Sequence, residues 1–350
     1  MSGAHVAIIV LNYNGWENTR DCLESVMALE YAGLSLFVVD NGSRDGEAGK
    51  IDRWLSGVSE SREEMGAVGL DECRAVAYTG ARGSTGAEAE RRRKWAFLLA
   101  NGVNRGFTRG NNMAIELAFS RVDPDYVMLL NNDVVLKPDS LAILAAFARG
   151  SREIGSVQPR ILRKGASGVV DSLGQAVYRN GRAKDMGQGE RDPGPFGNVE
   201  IFGTCAAAAL YNAGALKDAG LLDERFFIIL EDVDLAWRLR LCGYTSYCVS
   251  SAVAYHNRGI SGTKRFWESI DLVRSYNQNK NHLLVVLKYY PLEAIFNFLY
   301  LNIFRFAAAL ISGACLGRNP FAPFGGIMKE RRKLRQQYPA IEAVRRRWLQ

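Results

Sequence analysis

The sequence predicts an α/β protein built on a mostly parallel, doubly wound sheet. Short apolar runs rich in β-branched residues alternate with segments of helical spacing over the N-terminal 150 residues, and this alternation is typical of such sheets. The 350-residue chain is 48% hydrophobic and 23% charged, an ordinary globular composition. Its mean hydropathy of −0.10 excludes a polytopic membrane protein.

Four continuously apolar runs are predicted as strands buried on both faces. They span residues 6–11, 36–39, 96–100 and 126–130. Helical spacing marks residues 17–29 and 112–119, and Pro138 stands where a further helix would begin. Beyond residue 149, short Gly-punctuated segments predict a small mixed sheet. Two more helices are expected, over residues 213–220 and 231–241, and Gly243 ends the second.

Small polar residues follow each predicted strand. They are Asn12-Tyr13-Asn14, Asp40-Asn41-Gly42-Ser43, Asn104-Arg105-Gly106 and Asn131-Asn132-Asp133. Any one of these loops could be a simple turn. In a doubly wound sheet, however, ligands bind beyond the carboxyl ends of the strands. Four such loops on one edge therefore predict a binding site.

Residues 44–94 form a long polar stretch without clear periodicity. We interpret it as an insertion between the second and third strands and expect it to be mobile. The six cysteines are scattered and include no C-x-x-C pair, which predicts reduced thiols. Because no signal or transit segment is evident, a cytoplasmic location is expected.

Several acidic residues are candidates for chemistry. A carboxylate at Asp133, after a buried strand, can ligate Mg²⁺ or Mn²⁺, which bind through one or two carboxylates and substrate phosphates. Asp40 suits hydrogen bonds from a base or ribose. Glu231, Asp232 and Asp234 crowd one helix start; the helix dipole accounts for Asp234 but less well for three acids together. His256, one of three histidines, could be structural or a ligand.

The segments VAIIVLNYNG, VVDNGS, NRGFTRGNN, LLNNDVV and DERFFIILEDVDLAWRLRLCGY occur in this order. Together they resemble the motif series of family-2 glycosyltransferases with the GT-A fold, in particular the rhamnosyltransferase-like branch. The resemblance covers roughly residues 5–260, interrupted by the insertion. It implies an inverting hexosyltransferase that moves a sugar, rhamnose by this likeness, from a nucleotide-diphosphate donor to a hydroxyl of a glycan or lipid-linked acceptor.

The resemblance also implies roles for individual residues. Tyr13 and Asp40 match positions that hold the nucleotide base, and Asn104, Asn112 and Asn132 match donor-facing positions. Asp133 matches the metal ligand of the family, and Asp232 matches the catalytic base. His256 matches a histidine that reaches the metal in some members. Asn131-Asn132-Asp133 has a single acid where many relatives have two, so metal affinity would depend more on the diphosphate and on His256.

The C-terminal part carries the whole excess of positive charge. Residues 318–350 contain nine Lys or Arg and two Glu, a net +7, whereas the 35 basic and 35 acidic residues before them cancel. Residues 292–317 are apolar but interrupted by Glu293, Asn297, Asn302 and Arg305, an amphipathic pattern suited to lying on a membrane. A polybasic tail after it predicts peripheral membrane attachment at the inner face rather than nucleic-acid binding. The alternative is a helix packed on the catalytic domain with a solvated basic end.

The predicted organisation is thus a GT-A domain over residues 1–265 and a helical, membrane-associated region over residues 266–350. Two other functions stay open. A sugar nucleotidyltransferase would need a basic, Gly-rich loop after the first strand, where Asn12-Tyr13-Asn14-Gly15 has no cation. A non-catalytic membrane adaptor would be marked by loss of Asp133 or Asp232, and both are present. A processive synthase should carry a Q-x-x-R-W motif, which this chain lacks.

Overall fold

The computed structural model describes residues 3–67, 73–81, 96–166, 168–257, 264–317, 319, 321–338 and 341–349. Within these parts the strands are β1 Val6–Asn12, β2 Leu34–Asn41, β3 Ser59–Ala67, β4 Cys73–Ala81, β5 Ala96–Asn101, β6 Tyr126–Asn131, β7 Val134–Leu136, β8 Ile154–Arg163, β9 Val170–Ser172, β10 Gln175–Val177, β11 Ala183–Asp185, β12 Val199–Ile201, β13 Ala208–Asn212 and β14 Thr245–His256. The helices are α1 Trp16–Met27, α2 Glu47–Val58, α3 Gly106–Arg121, α4 Ser140–Ala148, α5 Ala213–Ala219, α6 Glu231–Leu241, α7 Lys264–Tyr289, α8 Leu292–Leu301, α9 Ile303–Cys315, α10 Ile327–Gln337 and α11 Ile341–Trp348.

One large mixed sheet organises the protein, in the order β12-β14-β8-β13-β6-β1-β2-β5-β4-β3. Its centre, β6-β1-β2-β5, is parallel throughout. Antiparallel strands β13 and β4 flank that centre, and β7 and β9 pair with β14 and β8. The predicted α/β class with a mostly parallel centre and a smaller mixed part is confirmed.

Both faces of the sheet are buried, as the continuously apolar runs predicted. Val6, Ile8 and Val10 of β1 face a core formed with α1, α2 and α4. The alternate residues Ala7 and Ile9 face a second core with α3, α5 and α6. Because the centre is covered on both sides, the loops at the carboxyl ends of its strands remain as the accessible edge.

The expectation of an irregular stretch at residues 44–94 is wrong for the residues that the structure describes there. They form α2, whose Ile51 and Leu55 are completely buried, and β3 and β4, which extend the sheet beyond β5. The helix has an apolar stripe at i and i+4, but Gly, Glu and Arg residues around it obscure the period.

The C-terminal helices share a core with the part of the chain that carries α6. Trp237 of α6 stacks on Tyr289 of α7 with ring centroids 5.1 Å apart. Residues of α8, α10 and α11 complete this cluster, among them Phe298, Ile327 and Ile341. Much of the predicted appendage is therefore packed against the preceding part of the chain, as the alternative interpretation proposed.

Residues 292–317 form two helices, α8 and α9, with a break at Asn302. No helix in the described parts of the chain is long and apolar enough to cross a membrane. The basic tail is also partly internal, since Arg331 and Arg345 are 3% and 4% exposed. Arg345 donates to the carbonyl of Tyr289, so part of the tail's charge stabilises the fold.

Candidate active site

The loops after β1 and β2 are joined by one hydrogen-bonded network. Asn12 Nδ2 lies 2.9 Å from Asp40 Oδ1, 3.0 Å from Ser43 Oγ and 2.9 Å from Glu47 Oε2. Glu47, at the start of α2, also accepts from the backbone N–H of Gly15 at 3.0 Å. Asn12 is opposite Asp40 in the parallel register, so the strand pairing itself aligns these side chains.

Two predicted base-binding residues lie in this network or beside it. Asp40 is only 2% exposed and accepts from Asn12 and from the N–H of Ser43. Tyr13 is 37% exposed, so its ring is open to a stacking partner. Asn132 lies across the β1 loop, where its Nδ2 donates to Thr19 Oγ1 at 2.9 Å. A Cβ at Gly15 would come within 2.7 Å of that Nδ2, which is why the loop needs glycine there.

The loop after β5 is tied to β2. Asn41 Nδ2 donates to Asn104 Oδ1 at 3.0 Å, and the same oxygen accepts from the N–H of Gly106 at 2.8 Å. Asn112 lies further along α3 and faces another element. Its amide donates to the carbonyl of Leu222 at 2.8 Å and accepts from the N–H of Leu222 at 3.0 Å. Asn112 thus ties α3 to the segment before α6, and its contact with a donor stays a prediction.

Asp133 and His256, 123 positions apart, meet at the end of β6 and β14. His256 Nε2 lies 3.1 Å from Asp133 Oδ1, and Nδ1 lies 2.7 Å from Oδ2 of the completely buried Asp171. Burial lowers the pKa of His256, but its hydrogen bonds to Asp133 and Asp171 outweigh burial and raise the pKa to about 9. The pairing of β7 with β14, with Val134 opposite His256, brings the two ends together.

This donor set fits a divalent cation that is shared with a substrate. Among the described residues no group of three or more His, Cys, Asp and Glu side chains is arranged to hold a metal ion. In such a site Asp133 would supply one carboxylate and His256, after loss of its proton, one imidazole nitrogen, with the ring orientation held by Asp171. Diphosphate oxygens and water would have to complete such a shell.

The acid pair opens α6. Glu231 is 6% exposed, and its Oε2 has no hydrogen-bond partner within the described residues. Burial, and next the charge of Asp232, raise the pKa of Glu231 to about 8. Burial also raises the pKa of Asp232, against a hydrogen bond from the N–H of Ala206. Two neighbouring carboxyls in different environments can divide their roles: burial and the charge of Asp232 favour the protonated form of Glu231, whereas the N–H groups of Ala206 and Val233 favour the charged form of Asp232.

Asp232 lies beside the strand end that carries Asp133. Asp232 Oδ2 accepts from the N–H of Ala206 at 3.1 Å, and the carbonyl of the next residue, Ala207, accepts from the N–H of Asn131 at 2.9 Å. Adjacent residues of one segment therefore touch both the strand end and the acid pair, which places the two predicted functional centres on the same edge of the sheet.

The segment before the acid pair is strained. Phe227, Ile229 and Leu230 have φ angles of 63°, 77° and 67°, in the left-handed region that costs a residue other than glycine about 1–2 kcal/mol. The Phe227 ring packs against Gly106, where a Cβ would come within 2.5 Å of it. The Phe227 carbonyl accepts from the N–H of Thr108 at 3.2 Å. This segment thus joins the loop after β5 to the base of α6.

Sequence reasoning missed the residues that support these centres. Glu47, Asp171 and Gln175 are far in sequence from the groups that they contact, and no local pattern distinguishes them. Gln175 and Asp185 face each other across the β10–β11 hairpin, and both influence the pKa of Asp232. The short Gly-punctuated segments beyond residue 149 predicted a small mixed sheet but could not show which side chains face the acid pair.

Comparison with known proteins agrees with this geometry. The sequence model of Glycosyl transferase family 2 matches residues 7–63. The N-acetylglucosaminyl-diphospho-decaprenol L-rhamnosyltransferase of Mycobacterium tuberculosis is 29% identical over 235 residues, which cover 60% of this chain and 73% of the relative. The poly-beta-1,6-N-acetyl-D-glucosamine synthase of Staphylococcus epidermidis is 24% identical over 241 residues, 68% of this chain and 46% of the synthase.

Solved structures show the same fold. Mannosyltransferase PcManGT from Pyrobaculum calidifontis, in complex with GDP-Man and Mn²⁺, superposes with a TM-score of 0.52 at 15% identity, covering 98% of this chain and 86% of that one. GalNAc-T7 with UDP, GalNAc and Mn²⁺ superposes with a TM-score of 0.59 at 13% identity, covering 96% and 58%. The chain therefore has the GT-A fold, and its similarity to family-2 glycosyltransferases, a rhamnosyltransferase among them, supports a place in that family.

Proposed function

We propose that this enzyme is an inverting transferase that moves a sugar from a nucleotide-diphosphate donor to a hydroxyl of a glycan or lipid-linked acceptor. The observation that carries the proposal is the pairing of Asp133 with His256 on the same edge as the acid pair. The Asp133–His256 pair suits the leaving diphosphate, and the acid pair suits the attacking hydroxyl. The rhamnosyltransferase of M. tuberculosis supports rhamnose as the sugar.

On the donor side, Asp133 and His256 would hold a Mg²⁺ or Mn²⁺ ion, which supplies charge neutralisation for the departing diphosphate. Tyr13 and Asp40 would hold the base, and Asn104 and Asn132 would line the donor's path. The network around Asn12 and Glu47 keeps these loops in place before the donor arrives. Such preorganisation lowers the cost of binding.

On the acceptor side, Asp232 takes the proton from the attacking hydroxyl. The acceptor oxygen then forms a bond to the anomeric carbon while the bond from that carbon to the diphosphate oxygen breaks, so a single displacement inverts the anomeric centre. A carboxylate whose pKa is raised by burial is a stronger base than a solvated one. Protonated Glu231 keeps the pair from carrying two adjacent negative charges.

A transfer screen across nucleotide sugars with and without Mn²⁺ tests the donor and the metal. The variant Asp232→Asn keeps the size of the side chain and removes the proton acceptor. Because general-base catalysis typically contributes ~10²–10⁴-fold, kcat should fall by that order while donor affinity persists. The matched control is Asp139→Asn, an exposed residue before α4 without a side-chain capping bond. Unchanged kcat in Asp232→Asn would refute the assignment of the base.

We also propose that the enzyme binds the membrane surface from the cytoplasmic side. Phe296, Tyr300 and Phe304 are 70%, 82% and 87% exposed and lie four residues apart on α8 and α9. We call these three residues the aromatic stripe. A cleft of about 640 Å³ is lined by Tyr300 together with Arg179, Arg346, Glu293 and Glu342, so basic side chains lie beside the middle residue of the stripe. Apolar and basic groups together are the two signals that peripheral attachment requires.

Co-sedimentation with vesicles that contain phosphatidylglycerol tests this attachment. Replacing all three stripe residues by Ser should remove most binding, whereas Val199→Ser, at a 45% exposed residue on β12, should not. Because surface charges are screened within ~10 Å at about 0.1 M salt, wild-type binding should weaken, but not vanish, as salt rises. Equal binding by the triple variant and the wild type would exclude the stripe as the contact. Point substitutions suit this test better than truncation after Tyr290, which would remove core residues of α8, α10 and α11.

A further inference from the structure

Helix α7 holds the backbone that leads into the acid pair. Asn281 Nδ2 lies 2.9 Å from the carbonyl oxygen of Phe226, 2.8 Å from that of Ile228 and 2.5 Å from that of Ile229. Lys280 Nζ lies 2.5 Å from the carbonyl oxygen of Arg225 and 3.4 Å from that of Phe226. Both side chains are buried, with exposures of 0% for Asn281 and 4% for Lys280. Two adjacent residues of one helix thus contact the carbonyls of residues 225, 226, 228 and 229.

These contacts fall where the backbone is least able to hold its own shape. Residues 227, 229 and 230 have positive φ angles, and Ile229 is β-branched, which makes that conformation especially unfavourable. The Leu230 carbonyl accepts from the N–H of Asp234 in α6, and the Phe227 carbonyl accepts from Thr108. The carbonyls of Ile228 and Ile229 lie outside any regular helix or strand, so they need donors from elsewhere. Asn281 supplies those donors, and Lys280 binds the carbonyls just before them. The strained segment ends directly at Glu231 and Asp232.

We infer that Lys280 and Asn281 are positioning residues of the transferase. They fix residues 225–230 in the one conformation that sets the Asp232 carboxylate against its acceptor. The inference deepens the proposed function and rests on Asp232 as the base. Neither side chain belongs to the donor-side network around Asn12, Asp40 and Glu47, so their effect should fall on the chemical step and not on donor binding.

The chain offers a matched control on the same helix. Asn277 lies one turn before Asn281 and is also completely buried, but its Nδ2 donates to the carbonyl of Val273 within α7. Asn281→Ala and Asn277→Ala therefore remove the same buried amide from one helix, and only the first change releases the strained segment. The full-length variants are compared for kcat, for the KM of the donor and for melting temperature.

A base displaced by about 1 Å loses up to ~10²-fold in rate. Asn281→Ala should therefore lower kcat by ~10- to 10²-fold with little change in the donor KM, while Asn277→Ala keeps a kcat near that of the wild type. Hydrogen exchange should rise in the peptide covering residues 226–232 of Asn281→Ala and not in β14. Equal losses of kcat in the two variants, or unchanged kcat in Asn281→Ala, would overturn the inference.

A second pair of variants keeps the test decisive if Asn281→Ala does not fold. Lys280→Arg retains a cationic donor and should keep most activity, whereas Lys280→Met removes it and should lose kcat. Equal activity of these two variants would also overturn the inference. Asp232→Asn separates the two levels of the argument. If it keeps wild-type transfer, the base assignment fails; if it loses transfer while Asn281→Ala does not, only the positioning role fails.

Discussion

Lys288 of α7 forms a buried ion-pair cluster whose removal should destabilise the protein strongly. Its side chain is 1% exposed, and Nζ contacts Asp234 Oδ1, Asp223 Oδ2 at 3.0 Å and Glu330 Oε1 at 3.1 Å. Asp234 is completely buried. Lys288→Met keeps the length and the apolar stem of the side chain but leaves two buried carboxylates with less compensation.

Removing one partner of a buried pair typically costs ~3–5 kcal/mol. Here the lower end applies, because Asp234 keeps hydrogen bonds from Arg238 at 2.9 Å and from Tyr289 Oη at 2.7 Å. With about 2 °C per kcal/mol for a chain of this size, the melting temperature should fall by roughly 6 °C. Lys217→Met is the control. Lys217 pairs with Asp123, and their side chains are 52% and 81% exposed, so this surface pair contributes only ~0–1 kcal/mol to stability.

Differential scanning calorimetry on the full-length variants measures this difference. Adding Asp234→Asn to Lys288→Met should recover part of the loss, because it removes the uncompensated charge. A melting temperature of Lys288→Met equal to that of Lys217→Met would refute the argument. The argument would also fail if the double variant were less stable than the summed stability losses of the two single variants predict.

The same cluster gives a pH dependence, and two further predictions accompany it. Burial raises the pKa values of Asp223 and Asp234, but Arg225, Lys288 and Arg238 outweigh burial and hold both pKa values below their usual range. The two ionised carboxylates therefore stabilise the fold above ~pH 3.9. This stabilisation is lost as pH falls through the pKa values of the folded state. Burial lowers the pKa of Lys288, but Asp234 and its neighbours raise it, so its stabilisation is present below ~pH 10.4 and is lost as pH rises through the folded pKa. The stability difference between the wild type and Lys288→Met, measured by urea unfolding, should therefore shrink below about pH 4; a constant difference down to pH 2 would contradict this. Asp133→Ala should abolish transfer at every Mn²⁺ concentration without loss of the fold by circular dichroism, and full activity in the presence of a chelator would exclude a metal role. Asp171→Asn should raise the Mn²⁺ concentration for half-maximal activity by ~10–100-fold while saturating metal restores kcat; a defect that metal does not relieve would place Asp171 elsewhere in the reaction.

The strand ends could be predicted from sequence because both signals are local. A buried parallel strand appears as an unbroken apolar run, and the polar residue after it marks the edge of the sheet. This signal holds for Asp40 and Asp133, which lie at the ends of β2 and β6, the strands on either side of β1. The same logic failed for β3 and β4, which lie at the edge of the sheet and include charged residues such as Glu63 and Arg74, so they show no apolar run.

The supporting residues could not be predicted because their partners are distant in the chain. Asp171 lies 85 positions from His256, and Asn281 lies 52 to 55 positions from the carbonyls that it binds. An amide in a helix is an ordinary surface residue by sequence, and only the tertiary packing of α7 against residues 225–230 gives it a role. Asp234 shows the reverse case: the helix dipole accounts for an acid at that position, but the structure adds the buried pair with Lys288.

The aromatic stripe and the acid pair belong to one packed unit, which predicts how membrane contact and catalysis are related. The proposed donor side lies at the sheet centre, whereas α6 packs against α7, and α7 packs against α8 and α9. Replacing Phe296, Tyr300 and Phe304 by Ser should therefore leave donor hydrolysis in solution unchanged. Transfer to a lipid-linked acceptor in vesicles should fall, because the enzyme spends less time at the surface that presents the acceptor. Measuring both rates on the same preparation, with a short-chain, water-soluble acceptor as control, separates the two effects. Equal losses with the vesicle-bound and the soluble acceptor would show that the stripe supports the fold of the acid pair instead of membrane contact.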